Sequence, residues 1–261
     1  MDYFIEALEQ HGDPTNEDMR RLRVQVYIQL GEWQMSLAEP RKQADGALDH
    51  VLECLETATK LDPTNDRAWH EWALMNFRAL EATVKESGQG VDPKRYAVRA
   101  IQGFFRSISF GHTSYDVTKD VLRLLTLWFA HGNRSDVHMA MIEGFQEASI
   151  DTWLDVIPQL IARIDTPNPK TSELLHELLS RIGQAHPQAL IYPITVASKA
   201  LNPIRKLAAE GILAAVRRHS SQLVYEADMV SRELIRVAIL WNELWHGALE
   251  EASKHFSIIA M

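Results

Sequence analysis

The sequence predicts an all-α protein, an α-solenoid of antiparallel helix pairs that ends in one long helix. Three observations predict it. Apolar residues recur every three or four positions along almost the whole chain, the spacing of a helix buried on one face. No stretch alternates strictly between apolar and polar residues with hairpin turns at its ends, as a half-buried strand would. The helical patterns run for about 13 to 20 residues between short polar breaks, and short breaks set consecutive helices antiparallel.

Taken in order, the first firm unit is "ALDHVLECLETATKLDPTNDRAWHEWALMNFRAL", residues 47–80. One helix ends where Asp62-Pro63 breaks it, Asp66 caps the next, and Ala68, Trp69, Trp72 and Ala73 face its partner. This junction resembles the one between tetratricopeptide units. Ahead of it, "EPRKQADGA" (39–47) reads as a loop. After it, "ESGQGVDPKR" (86–95) reads as a flexible link because of Gly88, Gly90 and Pro93. Helical patterns follow over 95–110, 116–132 and 135–149. In 150–164 the apolar residues are Ile150, Trp153, Leu154, Ile157, Leu160, Ile161 and Ile164, one stripe of a single helix. Asp151 is its expected cap, and Pro158 predicts a kink inside it. "TPNP" (166–169) ends that helix. "TSELLHELLSRIG" (171–183) is the next, with Gly183 as its C-terminal stop. The pattern over 186–200 carries an internal Pro193, and that over 202–219 opens with Asn202 as cap and Pro203 in the first turn. The final pattern, from Glu233 to Phe256, is a long amphipathic helix bearing two tryptophans.

The chain has 261 residues, 46% hydrophobic and 24% charged, with ample length for a core. Its formal net charge is −8. A sequence-independent nucleic-acid binder relies on clustered Lys and Arg, so no nucleic-acid partner is expected. The single cysteine, Cys54, excludes an internal disulfide and falls on the apolar side of a helix, as a core residue. The N-terminal "MDYFIEALEQHGDP" has no basic region of a signal peptide, and no stretch reaches the apolar length of a transmembrane segment. A cytosolic or nuclear protein is expected.

Chemistry is not visible in the pattern. No phosphate-binding glycine loop, nucleophile elbow or kinase catalytic motif is present. The chain has 11 histidines, but zinc needs three or four converging ligands. His131 and His138 are separated by a turn, and His70-Glu71 lacks a second histidine at helical spacing. The histidines therefore read as surface or helix-end residues, with no metal and no cofactor in the chain. Glu250 and Glu251 are adjacent on a helix and diverge, so they read as a solvated face. The seven tryptophans lie mostly on apolar stripes and read as core rather than as stacking platforms. No catalytic residue and no convergent titratable cluster is expected.

Several strings carry more than periodicity. "LGEWQ" (30–34), "AWHEWALMNF" (68–77), "QGFFRSIS" (102–109), "LRLLTLWF" (122–129), "DTWLDVIPQLIARIDTP" (151–167), "HPQALIYPITVASK" (186–199) and "ELIRVAILWNELWHGALEEAS" (233–253) occur in this order. Together they resemble the target-of-rapamycin (TOR) kinases of the phosphatidylinositol-3-kinase-related family, over roughly 20–255. The resemblance implies the C-terminal part of the FAT domain running into the start of the FKBP–rapamycin-binding (FRB) domain. It implies a tetratricopeptide-like part over 1–85, a link over 86–95, and a HEAT-like part over 96–240. A first-helix stub of FRB would follow over 241–256, then a tail at 257–261 outside the family pattern, where "SIIAM" replaces the usual aromatic helix end. The other three FRB helices and the kinase domain would be missing.

The resemblance further implies a scaffold that clamps the kinase domain in growth and nutrient signalling, without catalysis of its own. Whole TOR kinases use ATP and a divalent metal, assemble with WD40-type and adaptor subunits, and act in the cytoplasm, on endomembranes and in the nucleus. By residue match, Leu249 and Ser253 form one wall of the rapamycin pocket, whose other side comes from the last helix of the bundle; an FK506-binding protein with rapamycin is a partner only when FRB is whole. Without the rest of the bundle, Trp241 and Trp245 head an exposed interaction face. Each large apolar side chain left in water forgoes about 1.5 to 3 kcal/mol of burial, so the isolated chain is expected to self-associate. The alternative reading is a stand-alone α-solenoid interaction module.

Overall fold

The computed structural model describes residues 17–37, 45–85, 93–111 and 115–259. Among the described residues all regular structure is helical. The helices are α1 (Glu17–Leu37), α2 (Asp45–Leu61), α3 (Asp66–Lys85), α4 (Pro93–Phe110), α5 (Tyr115–His131) and α6 (Ser135–Glu147). A 3-10 helix over Ile150–Val156 follows, then α7 (Ile157–Ala162), α8 (Pro169–Ala185), α9 (Pro187–Ser198), α10 (Pro203–Arg217) and α11 (Ser221–Ile259). Most of the loop expected at 39–47 and of the link expected at 86–95 lies outside the described residues; α2 opens at Asp45 and α4 at Pro93. The chain divides into two compact units, Met1–Val156 with Asn168–Thr171, and Ile157–Pro167 with Ser172–Met261.

In the first unit each of α1 to α3 packs on the next helix, the α3–α4 pair most extensively, and α4 also packs on α5 and α6. Ala68 and Ala73 are fully buried and Trp72 nearly so, as the junction predicts. Gly103 of α4 lets the two helices approach. A Cβ there would come within 2.8 Å of the Ala73 Cβ and 2.9 Å of Trp72 Cε3, tighter than side chains tolerate. The cap of α3 sits one residue earlier than expected. Asn65, not Asp66, accepts the Ala68 amide through Oδ1 at 3.0 Å, while Asp66 Oδ1 takes only its neighbouring Arg67 amide.

Around α4 to α6 the core is aromatic. Phe145 lies edge-on to Phe105, Trp128 and Trp153 with ring centroids 4.9 to 5.6 Å apart, geometries that add about 0.5 to 1.5 kcal/mol each beyond area burial. Trp128 and Trp153 are essentially inaccessible, so the stripe reading holds for them; Trp33 is half exposed. Cys54 is buried as expected, with Sγ 3.3 Å from His50 Nδ1.

The single kinked helix expected over 150–164 is instead two pieces. The carbonyl of Ser149 accepts the Thr152 amide and its hydroxyl the Asp151 amide, both at 3.3 Å. Ser149 rather than Asp151 therefore starts a 3-10 helix. Pro158 then falls in the first turn of α7, where its missing donor costs nothing. A continuous α-helix would have driven the proline ring into the carbonyl four residues back.

In the second unit α9 packs on α7, α10 and the start of α11. Gly183 does not stop its helix, because α8 continues to Ala185. The glycine is there for space: a Cβ would run into Val216 Cγ2 of α10 and lie 3.0 Å from Leu190 Cδ2 of α9. Asn202 caps α10 as predicted, accepting the Ile204 amide at 2.9 Å and the Arg205 amide at 3.3 Å, with Pro203 in the first turn. Pro193 is tolerated inside α9.

Candidate interaction surface and a buried ionic centre

Helix α11 is 39 residues long and changes character along its length. Near its start Val224 and Ala227 are buried, and Lys199, the residue that follows α9, meets Asp228 at 2.8 Å. Beyond Ser231 every described side chain up to Phe256 is exposed. An amphipathic helix is stabilised mainly by burying its apolar face, and this face is not buried in the chain. Trp241 is 61% exposed, Trp245 55% and Leu249 61%, and Ser253 is exposed as well. These four residues recur every fourth position, so they stack along one side of the helix. The two indoles form a T-shaped pair with centroids 6.4 Å apart. The four residues singled out in the sequence therefore share one accessible stripe.

A second feature was not legible in the sequence. The Asp120 carboxylate of α5 is fully buried, and three donors from three helices converge on it. His70 Nδ1 of α3 and Ser107 Oγ of α4 each lie 2.8 Å from Oδ2, and Arg123 Nη1 lies 3.0 Å from Oδ1. This corrects the expectation that the histidines sit at the surface and that no titratable groups converge. His176 corrects it too, since its Nε2 lies 2.9 Å from the Ile164 carbonyl. The serine, histidine and aspartate do not make a nucleophile. Ser107 is buried and donates to the aspartate, not to the imidazole, so the histidine is not placed to activate it and a substrate has no path to it. Four charge-capable or polar groups satisfied in one buried place instead tie α3, α4 and α5 together.

The hydrogen bond His70 donates to Asp120 raises the His70 pKa above 6.5, against the opposing effect of burial. Burial raises Glu71, whose Oε1 stands 4.0 Å from His70 Nε2. A raised histidine pKa means the folded state holds the proton more tightly than the unfolded chain. That contribution is complete below about pH 6.5 and is lost as pH rises through the elevated value. Denaturation of the chain followed from pH 6 upward should show falling stability, and His70→Gln should flatten the slope. An unchanged slope would place the proton elsewhere. Glu71 acts in the same direction, but from its own ordinary range near 4.5 upward.

Comparison with known proteins places these features. The FAT domain model matches residues 5–126. The model for HEAT repeats of ATR-like serine/threonine-protein kinases matches 136–231. The FKBP12-rapamycin binding domain model matches 233–259, most of α11. The serine/threonine-protein kinase mTor of Drosophila melanogaster is 46% identical over 254 residues, covering 90% of this chain and 10% of that protein. The TOR kinase of Arabidopsis thaliana is 43% identical over 236 residues, 89% of this chain and 9% of its own. The tor1 kinase of Schizosaccharomyces pombe is 43% identical over 245 residues, 93% of this chain and 10% of its own. The chain thus spans about a tenth of the length of the relatives it matches. A chain of the complete CtTel1 dimer with C2 symmetry overlaps 86% of this one, and 8% of its own length, at a TM-score of 0.50 and 17% identity, a likeness of fold alone. No described helix is long and apolar enough to cross a membrane. Identity near 45% across nine-tenths of the chain, with FAT and FRB matches in succession, assigns it to the target-of-rapamycin kinase family, in the FAT–FRB region.

Proposed function

We propose that this chain serves a TOR-type serine/threonine kinase as a helical scaffold, without taking part in the chemistry. In this reading the FAT helices brace the kinase domain, and α11 begins the FRB bundle. Phosphoryl transfer, with its ATP and divalent metal, belongs to the kinase domain of such a protein. The observation that carries the reading is the bare apolar stripe of α11, which coincides with the FRB match at 233–259. A helix whose Leu234, Trp241, Leu244, Trp245 and Leu249 all face solvent is built to be covered. Trp241 and Trp245 form the seam for the remaining bundle helices. Leu249 and Ser253 contribute one wall of a rapamycin pocket, open to an FK506-binding protein with the drug once the bundle is complete. WD40-type and adaptor subunits are partners of the whole kinase, acting in the cytoplasm.

The reading is tested by complementation in trans. A polypeptide carrying the rest of FRB and the kinase domain of the Drosophila relative, expressed separately, should bind this chain. Trp241→Asp with Trp245→Asp should abolish binding. Equal binding by the double variant would remove the docking role from this face, and no binding to the native chain would overturn the proposal.

A further inference from the structure

We propose that a second copy of this chain covers the α11 stripe, the stripe of each copy lying in the groove between α8 and α10 of the other in a closed two-fold dimer. The groove lies within the second unit and has a volume of about 520 Å³. Ile204, Leu207, Gly211 and Ala215 of α10, Arg218 just after it, and Ser180 of α8 are among its lining residues. This pairing is independent of the scaffold reading, because it concerns the chain by itself.

Three features match groove to stripe. The first is room. Ile204, Leu207, Gly211, Ala215 and Arg218 recur every three or four positions, one face of a helix. Ile204 and Leu207 are mostly exposed. Gly211 sits between them and Ala215, inside a helix that alanine would stabilise. A Cβ at Gly211 would meet nothing within 4 Å, whereas at Gly103, Gly144 or Gly183 it would run into a neighbouring side chain. The space at Gly211 therefore serves no packing within the chain and is open to a large side chain from outside. The second feature is register and charge. Trp241, Trp245 and Leu249 recur every fourth position, as do Leu207, Gly211 and Ala215. Laid parallel to α10, the partner copy's Trp241 meets Leu207, its Trp245 fills the gap at Gly211, its Leu249 meets Ala215, and its Glu251 reaches Arg218. Arg218 and Glu251 are both exposed, and neither has an ion-pair partner among the described residues. From Trp241 to Ser253 the helix carries Glu243, Glu250 and Glu251 and no lysine or arginine, while Arg217 and Arg218 stand together at the foot of the groove. The third feature is symmetry. Helix α11 follows α10 after a short turn and packs on it, so the two run antiparallel. Because α11 is unbroken, its stripe projects past the start of α10 and cannot fold back into its own groove. A two-fold axis perpendicular to α11 sets the two copies of α11 antiparallel. The partner's α11 is then parallel to α10, the direction that register and charge require. The dimer makes the contact twice, so about 300 to 500 Å² on each surface reaches the usual total of a stable interface. The two indoles, each more than half exposed, present roughly 250 Å² before the leucines are added.

The test is sedimentation of the full chain over a dilution series. The mass should level off at a dimer of 29.7 kDa chains. Gly211→Leu fills the gap without striking anything in its own chain, so thermal unfolding should hold or improve while the dimer dissociation constant rises about tenfold or more. Arg218→Glu and Glu251→Arg should each weaken the dimer about tenfold, roughly threefold for an exposed charge pair that the axis makes twice, and the two together should restore it. Gly211→Leu should still bind the separately expressed FRB and kinase polypeptide, so this pairing and the scaffold reading fail separately. A Gly211→Leu chain that dimerises like the native one would overturn the groove as the docking site. Failure of the double charge variant to restore the dimer would overturn the parallel register. Assemblies that grow beyond two copies would overturn the closed pairing, and a monomer at every concentration would overturn the proposal outright.

Discussion

Asp120→Ala is expected to lower the stability of the first unit by about 3 kcal/mol, the low end for breaking a buried ion pair. The low end applies because His70 and Arg123 keep some solvent contact while the carboxylate has none. The alanine leaves an imidazole, a guanidinium and a hydroxyl facing a void, and the Ser107 hydroxyl is buried away from water. Asp120→Asn retains the volume and one acceptor and should cost less. Ser107→Ala removes a single neutral donor from a carboxylate that keeps two others, and should cost about 1 kcal/mol. Urea denaturation followed by tryptophan fluorescence reports directly on this unit, because Trp128 and Trp153 are buried within it. A loss below that of Ser107→Ala would show that the three helices are held by apolar packing alone.

The second large effect is on association. At micromolar concentration the chain is expected to self-associate, and Trp241→Ser with Trp245→Ser should shift it strongly toward monomer. Two indoles passing from contact to water account for about 3 to 6 kcal/mol of the driving force, several tenfold steps in the dissociation constant. Light scattering over a dilution series measures the shift. A native chain that is monodisperse and monomeric would show that the stripe tolerates water. A double variant that associates like the native chain would move the contact to another surface, such as the exposed Ile204 and Leu207 of α10.

The residues show why the helices were readable and the ionic centre was not. Apolar spacing is a local property: Leu174, Leu175, Leu178, Leu179 and Ile182 name both a helix and its buried face, and the structure buries all five. Asn202 and Pro203 act within one turn, so their roles were readable too. Gly183 was misread because a glycine near the end of a pattern serves equally as a stop or as room for a neighbour. Its neighbour, Val216, is 33 positions away. The centre at Asp120 depends on His70, 50 positions earlier, and on Ser107, 13 positions earlier. No spacing rule links residues that meet only after three helices have packed. The split at Pro158 was missed for a different reason: a 3-10 turn and an α-turn share nearly the same apolar stripe, and the choice between them rests with Ser149 and the proline together. The spacing of the α11 stripe was legible because Trp241, Trp245, Leu249 and Ser253 recur every fourth position, again a local property.

The length of α11 past its last buried contacts has a mechanical consequence. From Arg232 to Ile259 the helix is a free lever of about 40 Å, at 1.5 Å per residue, rooted on α9 and α10. A tilt of about 5° at the root, well within what a salt bridge such as Lys199–Asp228 can follow, carries the tip roughly 3 to 4 Å. Inserting one residue near Arg232 would swing the tryptophan stripe by about 100° around the axis. Small adjustments in the packing of α9 and α10 are thus geared up into displacements of whatever α11 carries.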